Sequence, residues 1–219
     1  MTPRRTSEQA DETRTQLVEA GRKLFGEDGF GATKAADVAK RAGVTRGALL
    51  HHFGDKTGLF AAVLEKLEDE VAARVVAGAV KGSTPLEWLR LGCSAFLREC
   101  ARSDVSQIML IDGPSVLGWD TWHEIDSRYG YQPLLNTVRA AVTAGQIDTD
   151  DPESLAYLLL GALAEAATVI GRSGDPKMTR ARMVRSVNRL IDGLCAQSHG
   201  SSRQDAESAR LRGVHQSHD

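Results

Sequence analysis

The sequence predicts an all-α protein. Apolar residues recur three and four apart through nearly every segment, and no period-two run is sustained. Ser/Thr/Asp caps, prolines and glycines divide the chain at helical lengths. At 219 residues, 42% hydrophobic and 26% charged, the chain has the composition of a globular protein that buries a proper core. No apolar run reads as long enough for a bilayer, and the opening "MTPRRTSEQADETR" has no apolar stretch behind it. The expectation is therefore a cytoplasmic protein with no membrane partner. Cys93, Cys100 and Cys195 lack CxxC spacing, which fits reduced thiols with no metal and no cofactor.

A basic arm, residues 1–10 with Arg4 and Arg5, precedes a first helix from about Asp11 to Gly26. That helix carries the stripe Leu17, Ala20, Gly21, Leu24 and Phe25, and "EDGFG" closes it. Thr33 reads as the N-cap of a second helix, "KAADVAKRA", with Ala35, Val38, Ala39 and Ala42 inward. Gly43 stops that helix, Val44 plugs the corner, and Thr45 caps a third helix running to about His52. Two short helices around a Gly-containing turn form a helix-turn-helix.

The third helix is too short and polar to hold a core alone. Its amino end, Thr45, Arg46, Gly47 and Ala48, is slim and rich in donors, suited to reading base edges in a DNA major groove. Leu49 and Phe53 anchor it inward, while His51, His52 and Lys56 sit where the helix leaves the groove beside phosphates. Thr33 and Lys34, at a helix amino terminus, are further phosphate candidates. Adjacent helical residues diverge by about 100°, so the two histidines do not converge on one metal ion. Charge agrees: residues 1–56 hold ten Lys/Arg against eight Asp/Glu, and the rest 17 against 21.

The stretch "TKAADVAKRAGVTRGALLHHFGDKTGLF" resembles the DNA-binding signature of the tetracycline-repressor (TetR/AcrR) family of bacterial transcriptional regulators. The likeness covers about Thr13 to Val63 and rests on the joint spacing of Phe25, Gly29, Thr33, Ala39, Ala42-Gly43-Val44, Gly47, His52-Phe53, Lys56 and Phe60. It implies a homodimeric repressor placing two recognition helices in successive major grooves of a palindromic double-stranded operator. It also implies a helical domain that binds a small-molecule effector and sets their separation. Leu50 stands where family members often carry Tyr, so that residue's phosphate contact is absent or replaced.

Residues 57–197 read as the regulatory and dimerisation domain. A long fourth helix, about Thr57 to Ala79, buries Leu59, Phe60, Val63, Leu67, Val71 and Val75 and links the two domains. Pro85 opens a fifth, with Leu86, Leu89, Cys93, Phe96, Leu97 and Cys100 inward. "VSQIMLI" is a short apolar piece before a break at "DGPSVLG", and the helix beginning "WDTWHEID" is interrupted near Gly130 and Pro133. Asp151 and Pro152 start a helix that is apolar nearly all round, partnered by one over Pro176 to Ala196. Two such hairpins make a four-helix dimer interface through Leu155, Leu159, Leu163, Val187, Leu190 and Leu194. Residues 198–219 read as a disordered tail.

Aromatic residues are sparse, at 5%, and gather in the central helices. Phe96, Met109, Asp112, Trp119, Trp122, His123 and Tyr129 are the expected pocket for an apolar or amphipathic ligand, in a cluster that also holds Trp88 and Tyr131; Trp88 and Phe96 read equally as core packing. The competing reading is an enzyme using Ser115, His123 and Asp126. It is weak, since "GPSVLG" is no GxSxG elbow and no HExxH spacing occurs.

Overall fold

The computed structural model describes residues 7–195. Its α-helices are α1 (Ser7–Ala32), α2 (Ala35–Arg41), α3 (Arg46–Phe53), α4 (Lys56–Ala79), α5 (Pro85–Glu99), α6 (Ser103–Val105), α7 (Gly113–Leu117), α8 (Trp119–Asp126), α9 (Gln132–Thr143), α10 (Pro152–Gly171) and α11 (Pro176–Gly193). Two π-helical turns, Ser106–Asp112 and Ser127–Tyr131, lie between α6 and α7 and between α8 and α9. Among the described residues no strand forms; Ile147 and Cys195 make an isolated antiparallel bridge.

Helix α1 starts earlier and ends later than its stripe predicts. Ser7 to Ala10, expected in the arm, are already helical, and Gly26 does not stop the helix. A Cβ at Gly26 would meet the Asp104 side chain at 2.8 Å, so its role is close approach to α6. The break falls at Gly29, at φ +78°. Arg4, Arg5, Ala196 and the 198–219 segment lie outside the described residues.

Of the three expected caps, Thr45 and Asp151 fall where the sequence places them and Thr33 does not, while Thr84, Asp55 and Asp175 are caps beyond those expected. The hydroxyls of Thr45 and Thr84 and the carboxylates of Asp55, Asp151 and Asp175 accept backbone N–H groups at the starts of α3, α5, α4, α10 and α11. Lys34, not Thr33, is the N-cap of α2, with no side-chain cap bond. "VSQIML" becomes α6 and a π-turn, and "GPSVL" is helical, the break coming at Gly118. The expected interruption at Gly130 is a π-turn rather than a gap, and Pro133 falls in the first turn of α9, where its missing N–H costs nothing.

Helix α4 is the spine. Its first turns carry Leu59, Phe60 and Val63, fully buried with Leu17, Phe25 and Leu49 of α1 and α3. Phe60 meets Phe25 and Phe30 edge-on at 5.3 and 5.2 Å. Beyond these, Leu64, Leu67 and Val71 join Leu89, Cys93 and Leu97 of α5. Helix α10 does reach, by length and composition, what a bilayer crossing requires, contrary to expectation. In this fold it buries Ala156, Leu159, Leu163, Ala167 and Ile170 against α5, α9 and α11.

Candidate nucleic-acid interface and internal cavity

Helix α3 stands on the surface, held by one buried anchor, Leu49, with Phe53 half-buried. Thr45, Arg46 and Gly47 at its amino end are exposed and Ala48 half-exposed. The Thr45 hydroxyl accepts the Ala48 N–H at 3.1 Å, fixing the first turn. Gly43, at φ +69°, makes the corner that presents it. Among the described residues the Arg46 guanidinium and the Lys34 ammonium, both exposed, have no hydrogen-bond or ion-pair partner, which leaves them free to reach outward. His51 and Leu50 are exposed as well; the half-buried His52 lies edge-on to His51, rings 5.4 Å apart. Leu50 offers no polar atom, so only apolar contact is open to it.

Two of the expected phosphate contacts are turned inward. The Thr33 side chain is buried and its hydroxyl donates to the Gly29 carbonyl at 2.8 Å, leaving no proton for a phosphate. The Lys56 ammonium donates to the carbonyls of Phe30 and Thr33 at 2.8 and 2.9 Å and lies 3.9 Å from the Phe30 ring centre. Lys56 therefore staples the α1–α2 corner to α4. Lys56→Met is expected to lower stability by about 2 kcal/mol, because two charge-assisted hydrogen bonds go with the ammonium. The salt dependence of DNA binding should be unchanged, whereas a phosphate contact would lower its slope by about one. Denaturant titration and binding at several salt concentrations separate the two; a flatter slope at unchanged stability would restore the phosphate role.

A cavity of about 120 Å³ lies between α4, α5, the second π-turn, α9 and α10. Its wall is apolar, built from Val71, Val75, Leu89, Leu134, Leu160 and Leu163, with Trp88, Phe96 and Tyr129 as its aromatic residues. Val76 and Trp88, 50% and 38% exposed, form its mouth. Two carboxyl groups enter this surface, Glu68 from α4 and Asp126 from α8. Glu68 is 5% exposed and makes no hydrogen bond or ion pair among the described residues. Burial, then the neighbouring Asp126 charge, push its carboxyl up from 4.5 to about 8. Asp126 is also raised by burial, with His123 opposing. Burial pushes the Cys93 thiol up to about 12, so it stays protonated and serves as wall.

A carboxyl whose folded pKa lies above its unfolded value leaves stability intact below about 4.5 and removes it as pH rises through about 8. Glu68→Gln is therefore expected to match the parent near pH 4 and to exceed it above pH 8, by on the order of 5 kcal/mol at the upper limit. Parallel pH–stability profiles for the two proteins would contradict a neutral buried Glu68.

The cavity takes only Phe96 and Tyr129 from the expected pocket. Met109 is buried core, and its carbonyl accepts the Trp122 indole N–H at 3.2 Å. The Asp112 carboxylate accepts the Phe30 N–H at 2.8 Å, reaching toward α1 instead of a ligand. Trp119 is 64% exposed and stacks on His123, and the same aromatic row continues to Tyr157 on α10. Clustering in sequence brings these rings together on the outside of α8. The rest of the lining falls outside that set, Glu68 among it. Glu68 stands four after Leu64 and three before Val71, so the α4 stripe itself points it inward. The Ser115 hydroxyl bonds to the carbonyls of Ile111 and Asp112, and nothing joins it to His123 among the described residues.

The apolar hairpin differs from expectation in which face is free. Leu159, Leu163 and Val187 are buried within the chain and Leu155 and Leu194 half-buried, so of the expected set only Leu190, 57% exposed, points outward. The uncovered face is Leu158, Gly161, Glu165 and Val169 on α10, beside Tyr157, with Met178 and Leu190 on α11.

This architecture is shared. Residues 17–63 match the family "Bacterial regulatory proteins, tetR family", and residues 86–194 match "Tetracyclin repressor-like, C-terminal domain". The HTH-type transcriptional regulator BetI of Paraburkholderia phymatum is 30% identical over 197 residues, 84% of this chain and 94% of that protein. The chain belongs to the TetR family. A crystal structure of a TetR-family regulator from Pectobacterium atrosepticum, 33% identical, superposes with a TM-score of 0.76 over 89% of this chain and 99% of that one. TtgR of Pseudomonas putida is more similar locally, 47% over 66 residues, a stretch that spans only 31% of TtgR. Likeness to this TetR relative is thus a partial match. The relatives found are regulators, and the hydrolase reading of Ser115, His123 and Asp126 has no support in them or in the geometry.

Proposed function

We propose that the protein represses transcription as a homodimer, reading a palindromic operator with Arg46 and Gly47 and releasing it when a small molecule fills the cavity beneath α4. The observation that carries the reading is that one helix serves both ends. Lys56, in the first turn of α4, grips the DNA-binding corner, while Glu68, Val71 and Val75 form cavity wall, beginning about 18 Å further along. A ligand that prefers one tilt of α4 shifts the recognition helices, and a dimer binds well only when they match half-sites about 34 Å apart. A second route supports the first: α8 holds the Met109 carbonyl through Trp122, and Asp112, three residues on, holds Phe30 of the DNA-binding domain. Lys34, His51 and His52 supply phosphate contacts in this reading.

Selecting bound sequences from random DNA with the purified protein tests it. The expected product is an inverted repeat whose half-site centres are one helical turn apart or a multiple of it. Recovery of a single unrepeated site, or of no preferred sequence, would overturn the dimeric operator reading.

A further inference from the structure

We infer that the cavity is built for an organic cation, an aromatic or alkyl ammonium, held by Glu68 and Asp126 against Trp88, Phe96 and Tyr129. The inference rests on the cavity being the effector site and narrows the ligand's chemistry.

Glu68 carries the argument. A buried carboxyl normally has a hydrogen-bonding or charged partner, because leaving one without costs several kcal/mol. Glu68 is 5% exposed, faces the cavity and has none among the described residues. A second acidic residue, Asp126, lines the same cavity and disfavours the ionised form of Glu68. An apolar guest would leave both carboxyls without a partner. A neutral hydrogen-bonding guest would answer one of them and leave the other without a counter-charge. A cation answers both carboxyls at once, and the three rings offer the faces that attract ammonium groups. A bare metal ion fits badly: Val71, Val75, Leu89, Leu160 and Leu163 cannot replace its water, and two carboxyls fall short of the six or more oxygens a hard cation takes. An organic cation brings its own apolar surface for those walls.

Binding is an exchange. At neutral pH Glu68 holds a proton, and the guest's charge displaces it into solvent, so cation binding strengthens as pH rises toward about 8 and levels off beyond. The groups facing Glu68 are Asp126 and, through it, His123 from α8, Cys93 and Cys100 from α5, and Tyr129 from the second π-turn. The cavity walls from α9 and α10 bring Pro133, Leu134, Thr137, Leu160 and Leu163, with no ionisable group. Both thiols are held protonated by burial, which leaves the Glu68–Asp126 pair to release the proton.

Phenyltrimethylammonium and its uncharged isostere tert-butylbenzene give a direct test by calorimetry on the full chain. The cation is expected to bind with an affinity that rises up to tenfold per unit between about pH 6 and 7 and flattens above about pH 8. Heats in buffers of different ionisation enthalpy should report close to one proton released. The isostere should bind at least tenfold more weakly at about pH 8, with no pH dependence. Glu68→Gln should abolish the cation's pH dependence; should that variant fail to fold, the proton count of the parent protein decides alone. Equal binding of cation and isostere without proton release overturns the cation assignment and leaves the effector reading standing, and so does a pH slope that survives Glu68→Gln. No cation binding at millimolar concentration also overturns it. Cation binding with proton release that leaves operator binding unchanged upholds the cation site and instead removes the effector reading.

Discussion

Leu158→Glu combined with Leu190→Glu is expected to give a folded monomer that has lost operator binding by about 10³-fold or more, the smaller end of the gap between specific and nonspecific binding. Leu158 is 73% exposed and Leu190 57%, on neighbouring helices, and Val169, Met178 and Tyr157 extend the same face. In the proposed homodimer a second copy of the hairpin covers this apolar face by symmetry. Neither side chain supports the fold, so the melting temperature should fall little at a concentration where the parent's dimer contributes little to its stability. The contrast is Leu159→Glu: at 5% exposure it would bury a charge and unfold the chain, and a missing dimer there would say nothing about the interface. Light scattering, thermal melts and competition binding together decide. A double variant that remains dimeric with full operator affinity would place the interface elsewhere.

Substitution at the tip of α3 should separate binding from stability completely. Arg46→Ala removes an exposed guanidinium that has no partner within the described chain, so the fold should not register it. Deleting a base-reading side chain costs about 1–3 kcal/mol in one half-site, and a symmetric dimer suffers it in both. Operator binding should therefore weaken roughly 30-fold to more than 10⁴-fold, with relaxed preference at one base per half-site. Gly47→Leu acts from the opposite direction. A Cβ there meets only the Thr45 hydroxyl, at 3.6 Å, and a helix interior favours Leu over Gly by up to about 1 kcal/mol. The variant should be as stable as the parent or more so, yet bind operator poorly because the added bulk keeps α3 out of the groove. Unchanged base preference for Arg46→Ala, or full affinity for Gly47→Leu, would show that this end of α3 does not face DNA.

Local signals are legible in the sequence and mutual arrangement is not. Caps at Thr45 and Asp151 depend on atoms three residues away, so the chain displays them directly. The helix-turn-helix is equally local. The role of Lys56 is not, because a lysine's default is solvent, and only the fold shows two carbonyls 23 and 26 residues earlier converging on it. Gly26 and Gly29 look alike as letters; one sits against Asp104 and the other turns the chain. On α10, apolar residues surround the helix, so no stripe distinguishes Leu158 from Leu159, and only the positions of α5, α9 and α11 decide which is free. The cavity is harder still to foresee, since Trp88 and Phe96 look like core from either side of its wall.

The staple at Lys56 also bears on how such proteins could be recombined. A seam cut between residues 56 and 57 looks natural on paper, since a turn ends there and a long helix begins. It would keep the staple but part the DNA-reading head from Leu59, Phe60 and Val63, which fill its centre. The smallest transplantable head therefore runs through Val63, two turns into α4, and a chimera inherits its operator from that piece. What lies downstream, from Leu64 on, is free to be exchanged for a regulatory half with a different cavity, provided the helical phase across the join is kept. A graft that respects this seam would answer a new chemical signal at an old genetic address.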